Sequence, residues 1–100
     1  MLLDNTKVLV TLAGEPLKES VDGEAKDVTV KTVIVNALLN PMEKDTGMQK
    51  MEKEELARKV YQNDSVDLTI EQVKLIKDRI GEMYAPIVVG QVWRLLENRV

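Results

Sequence analysis

From Thr69 to Met83 the apolar residues Ile70, Val73, Ile76, Ile80 and Met83 recur every three or four positions, the spacing of one stripe on an α-helix. Thr69 stands three residues before Gln72, so each side chain can satisfy the other's backbone N–H in a capping box. This predicts a helix over 70–83, its last turn weakened by Gly81. Pro86, tolerated at the first helical position, opens a further helix to about Asn98. There Gly90, Gln91, Arg94, Glu97 and Asn98 form one polar stripe, and Ile87, Val88, Val89, Val92, Trp93, Leu95 and Leu96 make the rest apolar. So wide an apolar arc implies a central position in the fold or a second partner beyond the helix's own core.

The same spacing recurs upstream. Leu56, Ala57, Val60 and Tyr61 make the inward face of a helix over 48–62, opened by Thr46 with Gln49 in a second capping box. Its dense charge reads as a solvated surface, with Glu54–Arg58 and Glu55–Lys59 as i, i+4 pairs in the favourable acidic-first order. Val30, Val33, Ile34, Ala37 and Leu38 give a helix over 30–39 with Thr29 as N-cap and Pro41 as terminator. The β-branched run Val28 to Val35 keeps a strand as the competing reading. Nearer the amino terminus, Val8, Val10 and Leu12 alternate with Lys7, Leu9 and Thr11, a strand with one buried face. Ala13-Gly14-Glu15-Pro16 supplies turn chemistry, Leu17 to Val21 a second strand, and Asp22-Gly23 a further turn. The expected architecture is α+β, a single domain over 1–100 with an N-terminal β-hairpin at about 7–21 packed on a compact bundle of about four helices.

Composition narrows the chemistry. A chain of 100 residues has room for one core and not for a cleft between two domains. Tyr61, Tyr84 and Trp93 are the aromatic residues, so the core is aliphatic with Met as filler. With no Cys and no His, disulfides, thiolate or imidazole ligands and an imidazole base are excluded, and the cysteine count fits a reducing compartment. A net charge of −3, with 14 Lys and Arg scattered singly or in pairs, argues against nucleic-acid binding by a basic surface. The opening MLLDNTKVLVTLAGE has no basic n-region and no long apolar run, so a signal peptide is not expected. No window approaches the roughly 18–20 apolar residues of a membrane span. The expected location is the cytoplasm.

Each candidate for chemistry has a plainer reading. Asn63 to Glu71 alternates oxygen-bearing side chains, but an EF-hand count from Asn63 puts Leu68 where Gly is needed and Lys74 where Glu is needed. The segment reads as a helix connector with an N-cap. Glu54 and Glu55, and Asp78 and Glu82, are carboxylate pairs in lysine-flanked surroundings that suggest no raised pKa. Ser20 and Ser65 have no His to activate them, and the five glycines are isolated, so no phosphate loop is present. No catalytic, cofactor-binding or metal-ligating residue is assigned. Met42, Met48 and Met51 cluster where flexible thioethers suit an adaptable contact surface, with gap-filling under a loop as the alternative. Trp93 with Tyr84 suits either an interface or the core, and Asn36 is expected to face water beside Thr32 or to cap a neighbouring backbone group. The expected protein-binding residues are Val89, Trp93 and Leu96 of the final helix with Met48 and Met51.

The segments VIVNALLN (33–40), ELARKVY (55–61) and VDLTIEQVKLIKDRIGEMYAPIVVGQVWRLLE (66–97) resemble small proteins of unassigned function encoded by tailed bacteriophages and prophages. The resemblance covers about residues 28–97 and brings no catalytic residues. It implies a small accessory or structural protein in the bacterial host cell or in the virion. The function expected is that of a non-catalytic protein-binding or assembly module, partnered by another protein or by self-association into a homo-oligomer through the final helix. The alternatives are a small regulator that binds and inhibits a host enzyme, and a small hydrolase.

Overall fold

The computed structural model describes residues 2–97. Four helices and two short antiparallel sheets succeed one another as β1 (Leu2–Asp4), β2 (Lys18–Val21), β3 (Glu24–Asp27), α1 (Val30–Leu39), α2 (Gly47–Gln62), β4 (Ser65–Asp67), α3 (Ile70–Met83) and α4 (Pro86–Leu96). The α+β class with an N-terminal hairpin on four helices is therefore the fold observed.

The helices begin where side chains can satisfy their free amides. Both capping boxes form: Thr46 accepts from Gln49 and Thr69 from Gln72, and each glutamine accepts in return from the threonine backbone. Thr29 caps α1, so the β-branched run is helical from Val30 onward. A cap and a wholly buried stripe together outweigh its strand propensity. Val30, Val33, Ile34 and Ala37 are completely buried, because α1 packs against both α2 and α3. Ile76 and Ile80 carry the buried stripe of α3, while Ile70, first after the cap, is 86% exposed. The extension of α4 to Asn98 lies outside the described residues, and Glu97 is its C-cap.

The amino-terminal hairpin differs in register from the expectation. The regular ladder joins β2 to β3, pairing Lys18 with Asp27 and Val21 with Glu24. Asp22 (φ 52°) and Gly23 (φ 82°) make the two-residue turn. Positive φ at both central positions is the type I′ geometry that matches strand twist, and Asp-Gly suits it. Residues 7–12 are extended without forming a full strand. They are held by isolated bridges from Val8 to Thr29 and Val10 to Pro16, with a turn at Gly14 (φ 87°). Their inward residue is Leu9, completely buried, while Leu12 is 96% exposed. Of this stretch Leu9 alone is buried; Val8 and Val10 are half-buried. Leu9 is fixed from both sides: its N–H donates to Val28 and its carbonyl accepts from Leu17. The chain is already turning at Leu12, which leaves that side chain outside.

Two polar side chains fasten this arm to the helices. Asn5, buried, donates from Nδ2 to the carbonyls of Val60 (3.0 Å) and Asn63 (2.9 Å), oxygens at the end of α2 that have no partner inside the helix. Its neighbour Leu3 pairs with Val66 across the β1–β4 ladder. Gln91 of α4 accepts from the N–H of Val10 (3.0 Å) and donates to its carbonyl (2.7 Å), so an amide side chain serves as one more rung of a sheet. Gln91 therefore leaves the solvent-facing polar stripe.

Candidate protein-binding groove

On α2, Met48, Glu52, Glu55 and Lys59 follow one another at intervals of four, three and four and so stand in one column. On α3, Glu71 and Leu75 are four apart and form the facing column. Because α2 and α3 each pack on α1 and touch one another little, a groove of about 430 Å³ opens between them. Leu56 and Leu75 supply its apolar floor, and Glu52, Glu55, Lys59, Glu71 and Gln72 its walls.

The walls are more negative than the sequence pairing implies. Glu54 and Arg58 form the expected ion pair. Lys59 instead donates to the carbonyl of Asp67 at 2.9 Å, which draws its ammonium toward the β4–α3 connection. A fixed carbonyl two residues before the α3 N-cap outcompetes a solvated carboxylate, since an exposed i, i+4 pair contributes only about 0.3–0.5 kcal/mol. Among the described residues, Glu52, Glu55 and Glu71 have no ion-pair partner. All three are exposed, so each carboxylate stays hydrated. Among the described residues no group of three or more His, Cys, Asp or Glu is placed to hold a metal ion.

The five residues singled out in the sequence fall in two places. Val89 and Trp93 are half-buried in α4, and Leu96, 4% exposed, belongs to the core. The Trp93 indole Nε1 donates to the carbonyl of Lys77 (3.1 Å), and the Lys77 ammonium lies 4.6 Å from the ring centroid. The ring also lies over Gly81, where a Cβ would come within 3.1 Å of it. Trp93 is thus engaged in joining α3 to α4. Met48 and Met51, by contrast, are 61% and 49% exposed on the outer face of α2, with Met48 at the head of the groove column. Met42 is apart from them, half-buried, with its sulfur 3.7 Å from the ammonium of Lys53, whose own partner is Asp45.

Burial pushes the Tyr84 phenol above its ordinary pKa, against the opposing effect of its hydrogen bond with the Asn36 side chain. Asn36, exposed on α1, thus meets the C-cap residue of α3. The groove was missed as a unit because Glu52, Glu55 and Glu71 each read as ordinary helix surface. The legible signal was the pair Glu52 and Glu55, three residues apart on one helix face, one turn after Met48.

No helix among the described residues is long and apolar enough to cross a membrane. Comparison of the chain with protein-family models, with curated proteins and with solved structures finds no match.

Proposed function

We propose that this chain is a non-catalytic accessory protein of a phage or prophage that acts as a protein-binding or assembly module. The observation that carries the binding reading is the outer face of α2 and α3, where a groove with an apolar floor and carboxylate walls lies one turn from the exposed Met48, with Met51 exposed on the same helix. Flexible thioethers adapt to different partner shapes, and charged walls around an apolar floor give a partner both area and orientation. Exposed carboxylates around an apolar floor suit recognition of a cationic, partly apolar partner. The phage or prophage setting rests on the sequence resemblance alone. Because Trp93 and Leu96 are spent on α3 and the core, the contact surface proposed is the α2–α3 face and not α4.

The test is affinity capture of the tagged full chain after cross-linking in lysogenic or infected cells, read by quantitative mass spectrometry. The expected result is one protein recovered in near-stoichiometric amount: a particle component for an assembly role, a host enzyme for a regulatory one. Recovery of no protein above an untagged control would overturn the reading, as would turnover of a hydrolase substrate that a single carboxylate substitution abolishes.

A further inference from the structure

We propose that the groove between α2 and α3 receives a lysine- or arginine-bearing amphipathic segment of another protein. An apolar side chain of that segment would seat on Leu56 and Leu75 with its cations against Glu52, Glu55 and Glu71. The inference rests on the protein-binding reading above and adds the chemistry of the partner.

Three observations select this occupant. The first is charge: three wall carboxylates have no ion-pair partner among the described residues, while the one wall cation, Lys59, is drawn to the Asp67 carbonyl. An incoming ammonium or guanidinium therefore finds acceptors without first displacing an internal cation. The second is the floor. Half-buried Leu75, with the edge of Leu56 (6% exposed), offers apolar surface, which a hydrated inorganic cation or a purely polar polycation leaves uncovered, whereas an amphipathic segment covers it. The third is size: about 430 Å³ is the space of roughly fourteen waters, which suits a few inserted side chains on a partner lying along the two helices. Met48, exposed in the same column as Glu52 and Glu55, extends the apolar surface beyond the groove. A second copy of this chain is the poorer fit, because its net charge of −3 opposes approach to an acidic wall.

The experiment titrates the full chain into three fluorescein-labelled synthetic peptides and follows anisotropy and amide chemical shifts. One peptide is an amphipathic Leu/Lys helix, one its Leu/Glu counterpart with the same spacing, and one a Leu/Lys peptide scrambled to destroy the stripe. The protein is compared with a groove variant, Glu52→Gln, Glu55→Gln and Glu71→Gln. A control variant of equal net charge carries Glu15→Gln, Asp22→Asn and Glu24→Gln. The expected result is binding of the striped Leu/Lys peptide, shift changes centred on Leu56 and Leu75, and about a tenfold loss in the groove variant, the sum expected for three exposed ion pairs. The control variant keeps most of the affinity.

Equal loss in both variants would reduce the effect to overall charge and overturn the inference. So would unchanged binding in the groove variant, equal binding of the scrambled peptide, equal occupancy by spermidine, or groove shifts that follow protein concentration without peptide. Should the triple variant fail to fold by circular dichroism, Glu55→Gln alone is read against Glu24→Gln with the same criteria. A partner captured from cells that does not need the groove carboxylates would sink this inference and leave the protein-binding reading standing, whereas capture of none would sink the latter.

Discussion

Replacing Gln91 with alanine removes a clamp between α4 and the amino-terminal arm. The Gln91 amide makes three hydrogen bonds, two with the backbone of Val10 (3.0 and 2.7 Å) and one to the carbonyl of Ile87 (2.9 Å). The Ile87 carbonyl lies in the first turn of α4 and keeps its helical acceptor role, so the loss that counts is at Val10. Each lost hydrogen bond costs about 0.5–1.5 kcal/mol net, with the upper end applying when the abandoned group is shielded from water. Val10 is half-buried, which places the expected destabilisation at about 1–3 kcal/mol. Near the middle of that range, about 2 kcal/mol lowers Tm by roughly 8–16 °C for a domain of this size. In urea it lowers the midpoint with an unchanged m-value, since the same surface is exposed on unfolding. Hydrogen exchange isolates the cause: the Val10 amide loses protection in Gln91→Ala while the amides of α1 keep theirs relative to global unfolding. Gln91→Glu, which retains an acceptor for the Val10 N–H but has no donor for its carbonyl, is expected to be at least as damaging at neutral pH. A midpoint within error of wild type, with Val10 protection unchanged, would refute the clamp and return Gln91 to the solvent-facing stripe.

Other substitutions test the remaining joints. Asn5→Ala leaves the Val60 and Asn63 carbonyls without their donor and is expected to cost about 2–3 kcal/mol by chemical denaturation; Asn5→Asp should cost more at neutral pH. Its carboxylate, buried against two carbonyl oxygens at a helix C-terminus, would have a raised pKa, so the added cost should shrink as pH falls through that value. Gly81→Ala should forfeit the roughly 1 kcal/mol that Ala ordinarily gains over Gly in a helix. Its Cβ would stand 3.1 Å from the Trp93 ring, and a shift in tryptophan emission should report the displaced indole. The Asp4 carboxyl, held below its usual range first by the Thr6 hydroxyl and then by the Thr6 N–H, should titrate by NMR below the ordinary aspartate value. That stabilisation is present above the ordinary aspartate pKa and is lost as pH falls through the lowered one; Thr6→Ala should move the titration back up.

The helices were legible because their signals are local. Thr46 with Gln49 and Thr69 with Gln72 are three residues apart, and Pro41 and Pro86 act on their immediate neighbours, so no tertiary knowledge is needed to place these ends. The β1–β4 ladder was not legible, since Leu3 meets Val66 across the length of α1 and α2 and three-residue strands leave no periodic trace. The β2–β3 hairpin announced itself only through Asp22-Gly23. Its strands, KESV and EAKD, are almost wholly polar, so the hydrophobic alternation instead drew attention to residues 7–12. There two alternating sets competed, and hydrogen bonds from Leu9 to segments that lie further along the chain decided between them. The groove has the same character. That Glu52, Glu55 and Glu71 lie on outer helix faces follows from period alone, but that two of these faces confront one another follows from how α2 and α3 sit on α1. Gln91 and Asn5 show the converse, polar residues whose roles are set by distant backbone atoms and which pattern alone assigns to the surface.

The most direct test of a protein-binding role for the α2–α3 face is site-specific photo-cross-linking in cells. A photoreactive amino acid replaces Glu55 in the groove or, in a parallel strain, Asp22 at the tip of the β2–β3 hairpin. The expected result is one discrete cross-linked protein from position 55, absent from position 22 and diminished when Glu52 and Glu71 are both changed to Gln. Cross-linking that is absent at position 55, or indistinguishable between the two positions, would contradict it.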